Sequence, residues 1–128
     1  MNVYCFGNES IREDSLAKRL ASQMKVEGIT FIVCDRPEDI FKHDQGTLVI
    51  LDVIEGIESV VLIMDAEELK GNASVTLHDF DLSFFLKLMK KIGRIQELAI
   101  VGIPMQGDEE EIMASVKAKL LTLQPVDP

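Results

Sequence analysis

Short apolar runs alternate along this chain with stretches in which apolar residues return every three or four positions. Runs of the first kind read as buried strands, and stretches of the second kind as amphipathic helices. Asn2 to Phe6 is the first run, closed by the turn signal Gly7-Asn8. Leu16, Ala17, Leu20, Ala21 and Met24 then recur at helical spacing, with Arg12, Lys18, Arg19 and Lys25 expected on the opposite face. Gly28 stands where that helix is expected to stop. Ile29 to Val33 is a second run ending at Cys34-Asp35, and Pro37 is positioned to open a short helix to about Phe41.

Lys42 to Gly46 is polar and reads as a loop. Thr47 to Leu51 is a third strand, with Asp52 at its carboxyl end. Ser59 to Met64 is a further strand, and Gly56 before it predicts a tight antiparallel connection to the third. After a polar stretch, Asp81 is expected to cap a helix from Leu82 to Ile92 whose apolar stripe includes Phe84, Phe85, Leu88 and Met89. Gly93 is its expected C-cap. Glu97 to Gly102 is the last strand. Asp108 is the expected cap of a final helix, with Glu109, Glu110 and Glu111 in its first turn, where the helix dipole favours acid. Ile112, Val116, Leu120 and Leu123 form its predicted buried face.

This alternation predicts an α/β fold: a three-layer αβα sandwich with a mostly parallel, mixed five-stranded sheet. The length of 128 residues suits a single domain spanning 1–128. Aromatic residues are only 5% and Trp is absent, so the core must be aliphatic. The 13 basic and 22 acidic residues leave a formal net charge of −9. That balance argues against nucleic acid and against anionic membranes as partners. No apolar run is long enough to span a bilayer, and Met1 to Phe6 lacks the basic start of a leader, so a cytoplasmic location is expected. Cys5 and Cys34 lack CxxC spacing and read as reduced, buried thiols.

Ligand sites in open α/β sheets gather outside the carboxyl ends of the strands. The polar residues there are Asn8, Glu13 and Asp14 after the first strand, Asp35 after the second, and Asp52 and Glu55 after the third. His78 lies in the loop before the expected helix at 82–92. Singly, each has a plain structural reading: Asp14 as a first-turn acid, Asp52 as a turn cap, His78 as a solvent-facing imidazole. Together, two carboxylates and an imidazole suit a divalent ion such as zinc or nickel and leave coordination positions open. No GxGxxG, GxxxxGK[ST] or GxSxG motif occurs.

These segments resemble the hydrogenase maturation endopeptidases, which process the large subunits of [NiFe] hydrogenases. Val3 to Asn8 followed by Glu13-Asp14 is similar to the family's first strand, Gly-Asn and acidic pair. Leu48 to Ile54 resembles the strand bearing the second acid, and Thr76 to Ser83 the histidine loop. Leu98 to Pro104 is similar to the last strand and its Gly-Ile turn. The resemblance implies a peptidase that removes a C-terminal extension from a nickel-loaded large-subunit precursor. It implies Asp14, Asp52 and His78 as catalytic metal ligands, with Asn8 and Asp35 in a second shell or touching substrate. The nickel would come with the substrate, and zinc or a similar divalent cation can occupy the same ligands.

Cys5 stands where the family usually has Gly, and Asp35-Arg36-Pro37 where it usually has Asp-Gly-Gly. Two other readings therefore stay open. One is a non-catalytic, metal- or maturation-complex-binding relative of the same fold. The other is a flavodoxin-like receiver domain, suggested by the acids after the first strand.

Overall fold

The computed structural model describes residues 1–6, 16–34, 47–64, 76–77, 91 and 97–123. Six strands run in chain order: β1 (Asn2–Cys5), β2 (Thr30–Val33), β3 (Thr47–Glu55), β4 (Val61–Ile63), β5 (Thr76–Leu77) and β6 (Glu97–Ile103). Two helices are described, α1 (Leu16–Gln23) and α2 (Glu109–Leu123). The helix expected at 37–41 lies outside the described residues, as does that expected at 82–92 except for Lys91, which is helical.

The main sheet has the order β2-β1-β3-β6-β4. β1 pairs in parallel with β2 and β3, β3 pairs in parallel with β6, and β4 is antiparallel to β6. This is the expected mostly parallel, mixed five-stranded sheet of an αβα sandwich. β3 holds the centre because it is apolar toward both faces, as a strand covered on both sides must be. Leu48, Val49, Ile50, Leu51, Val53 and Ile54 are all buried. Each such side chain contributes roughly 1.5–3 kcal/mol relative to exposure.

Alternation along the strands divides the core in two. Val3, Cys5, Val49, Leu51, Val53 and Val101 face α1 and α2, packing on Leu16, Leu20, Met24, Ile112, Val116 and Leu120. Tyr4, Phe6, Leu48, Ile50, Ile54 and Ile100 form the second cluster on the opposite face, with Cys34 and Ile63. Both cysteines are free and buried, as expected.

The helices form for the expected reasons. Asp108 Oδ1 accepts the backbone N–H of Glu110 at 2.9 Å and of Glu111 at 3.4 Å, capping α2. Leu123 packs partly buried at the far end of the same face. Lys18 departs from expectation, because it is buried rather than on the open face of α1. It lies only about 60° around the helix from the buried Ala21, and a lysine stem tolerates burial while its head finds polar company. Gly28 is not the helix cap either: α1 ends at Gln23, and Gly28, at φ 82°, turns the chain into β2.

Two strand expectations change. The antiparallel strand forms, but it pairs with β6 and not with β3. β3 has no edge to offer it, since β1 and β6 already flank both sides. β3 also runs past Asp52 to Glu55, because β6 and the unforeseen β5 continue to pair with it. Gly56, at φ 90°, ends it.

Candidate functional site

The chain leaves β1 for β2 on one side, while β3 occupies the other side of β1. The strand order therefore reverses between β1 and β3, and open α/β sheets bind their ligands at the carboxyl end of such a switch point. Asp52 sits there. β1 ends at Cys5, which is in register with Leu51, and the Phe6 N–H donates to the Leu51 carbonyl at 3.0 Å. Asp52 is thus the first β3 residue beyond the reach of β1. It remains interior on its other side, where it pairs with Gly102 of β6. The expected strand-end position is correct with respect to β1 and wrong with respect to β6.

The same geometry orients the side chain. Peptide groups along a strand point alternately to its two neighbours. Leu51 is turned toward β1, so Val53, two residues on, is turned toward β1 as well, where β1 has ended. A buried N–H without an acceptor is costly. The Asp52 carboxylate supplies the acceptor: Val53 N–H donates to Asp52 Oδ1 at 2.8 Å. The residue is fully buried, on the face of Ile50 and Ile54.

Two thiols lie at the carboxyl ends of β1 and β2. Cys34 N–H donates to the Cys5 carbonyl at 2.8 Å, carrying the β2–β1 pairing one residue past β2. Burial pushes the Cys5 thiol far above the ordinary thiol range, and Cys34 and the Asp52 carboxylate push it in the same direction. The direction of that shift favours the neutral thiol.

Of the expected site residues, Asp52 is the one the structure describes. Asn8, Asp14, Asp35 and His78 lie outside the described residues. The described chain ends around Asp52 are informative all the same. β1 hands over to residue 7 beside Leu51, and β2 hands over to residue 35 beside Cys5. β5 is the third. Leu77 stands opposite Ile54 and Thr76 opposite Glu55 in antiparallel register. β5 therefore runs from Glu55 toward Ile54, antiparallel to β3. Among the described residues, no three His, Cys, Asp or Glu side chains come together.

Sequence reasoning overlooked Gly102 and Ile54. A methyl group built on Gly102 would overlap the Ile54 δ-methyl, lie 2.9 Å from Ile54 Cγ1, and lie 3.1 Å from Val61 Cγ2. Gly102 is inside β6, not in a turn after it. An isolated glycine within an apolar strand is the signal that marks such close approach.

No protein-family model and no curated protein matches the chain. Solved structures do, and several of them are hydrogenase maturation endopeptidases. The hydrogenase-maturating endopeptidase HybD from E. coli superposes with a TM-score of 0.66 at 14% identity, covering 96% of this chain and 91% of that one. The hydrogenase 3 maturation protease gives 0.66 at 20% identity, with 98% and 92% covered. The [NiFe] hydrogenase maturation protease HycI from Thermococcus kodakarensis KOD1 gives 0.57 at 20% identity, with 95% and 90% covered. The expected likeness to this family thus holds for the fold over nearly the whole chain.

Proposed function

We propose that this protein is an endopeptidase that removes the C-terminal extension of a nickel-loaded [NiFe]-hydrogenase large-subunit precursor in the cytoplasm. The observation that carries the reading is the Asp52 carboxylate: buried, oriented by the Val53 N–H, and set at the switch point of a sheet shared with maturation proteases. A buried carboxylate at that position has no packing role that an aliphatic residue would not fill better. The family resemblance adds Asp14 and His78 to the same site.

In this reading Asp14, Asp52 and His78 reach nickel that the precursor brings with it, and a zinc or similar ion can occupy them in its absence. Two carboxylates and an imidazole suit such an ion. Their work is to position the precursor so that the scissile bond lies beside a carboxylate able to take a proton from the attacking water. Asn8 and Asp35 orient the ligands or touch the peptide. No described helix is long and apolar enough to cross a membrane.

The test is to incubate the full chain with nickel-loaded and nickel-free precursor and follow release of the extension by mass spectrometry. Release from the loaded form alone is expected. Equal release from both would remove nickel recognition. Release from neither would favour the non-catalytic relative.

A further inference from the structure

The row of side chains at the switch point contains a gap that the proposed chemistry does not explain. Asp52 and Gly102 are register partners on β3 and β6, and both belong to the face of Ile50, Ile54 and Ile100. Neighbouring strands lie about 4.7–4.9 Å apart. A side chain at position 102 would therefore stand beside the Asp52 carboxylate. None is there. The space is filled by Ile54, two residues beyond Asp52 on the same strand, whose δ-methyl lies where a Cβ on Gly102 would be. Ile54 is fully buried and leans away from its own strand, across β6.

Backbone conformation does not account for the glycine. Gly102 is regular β-strand, paired on both sides with Asp52 and Val61, and is not among the glycines of positive φ. The requirement at 102 is for empty space, and the occupant of that space is Ile54.

We infer that Gly102 is a positioning residue for the Asp52 carboxylate, because its missing side chain leaves the space beside the acid to the Ile54 δ-methyl alone. A larger residue at 102 must displace Ile54. Asp52 precedes Ile54 by two residues on the same face of β3, so a new side chain at 102 and the displaced Ile54 crowd the space beside the carboxylate. The carboxylate then loses its hold on the Val53 N–H and turns from its orientation. The placement of the acid stands on geometry alone. Its consequence for catalysis rests on the peptidase reading above.

The two claims are separated by measuring both. The readout for placement is the backbone amide proton of Val53 in the 15N-labelled full chain, because a hydrogen bond to a carboxylate shifts that resonance downfield. Gly102→Ala is expected to move it upfield. Gly102→Ala with Ile54→Val, which removes the overlapping methyl, is expected to recover at least half of that displacement. On nickel-loaded precursor, Gly102→Ala is expected to lower kcat about tenfold to a hundredfold with KM unchanged, and the double variant to regain most of it.

An unmoved Val53 amide in folded Gly102→Ala overturns the inference. So does a double variant no better than the single one. Should Gly102→Ala not fold, the double variant decides: a folded protein with a native Val53 resonance supports the inference, and an unfolded or displaced one overturns it. If the wild type cleaves no precursor, the peptidase reading fails, and the Val53 resonance still judges the role of Gly102.

Discussion

The two faces of the sheet are built from the same strands and serve different ends. Toward α1 and α2, β1, β3 and β6 present an apolar surface that includes Val3, Cys5, Val49, Leu51, Val53, Val101 and Ile103. The opposite face begins in the same way with Tyr4, Ile50 and Ile100. One step nearer the carboxyl edge it breaks, and Asp52 and Gly102 stand side by side where aliphatic pairs would pack. The first face illustrates how an aliphatic core holds a small domain together. The second shows where a fold gives up burial energy to hold a charge, which natural proteins do where chemistry requires it.

That contrast can be broken at several points. Asp52→Asn keeps an oxygen for the Val53 N–H and removes the charge. It is expected to lower cleavage of nickel-loaded precursor about a thousandfold, roughly 4 kcal/mol, while leaving the urea midpoint close to wild type. A large loss of stability with normal activity would make the acid structural. Leu51→Ala, one residue earlier and on the other face, should behave in the opposite way. It is expected to cost about 3 kcal/mol in urea unfolding and leave activity per folded molecule intact.

Cys5 sharpens the comparison, since it is a buried titratable group on the face toward α1 and α2. Its folded-state pKa is raised, so the folded protein keeps a proton that the unfolded chain releases. The stability it contributes is complete below the ordinary thiol value. It falls as pH rises above about 8.5, by up to about 1.4 kcal/mol per pH unit. Urea melts between pH 8 and 10 should show this slope, and Cys5→Ala should flatten it. Ellman's reagent should leave Cys5 unreacted until the protein unfolds. The smallest effect is expected at the start of α2. Asp108→Ala removes the cap of α2 and should lower stability by about 1 kcal/mol with cleavage unchanged.

Much of this was legible beforehand, because local pattern and tertiary context agreed. The cap at Asp108, the stripe of α2 and the central strand rest on period and propensity, which act within a few residues. The antiparallel strand shows the limit of such reasoning. Gly56 correctly announced a reversal, but the choice between β3 and β6 as partner depends on which strand edge is already occupied. Lys18 was misjudged for a related reason, since one helix seen alone does not reveal what lies against its flank. Gly102 escaped notice because its meaning lies in the Ile54 methyl, forty-eight positions away along the chain.

The sequence by itself determined the class of fold, the aliphatic core, the buried reduced thiols and the candidacy of Asp52. All of these follow from hydrophobic period, composition and short-range turn chemistry. Only the tertiary structure decided that Asp52 lies at the reversal of strand order, that β1 stops one residue short and frees the Val53 N–H for its carboxylate, and that Gly102 lies across from it. Those facts arise from register between strands distant in sequence, where a shift of one residue would send every side chain to the other face.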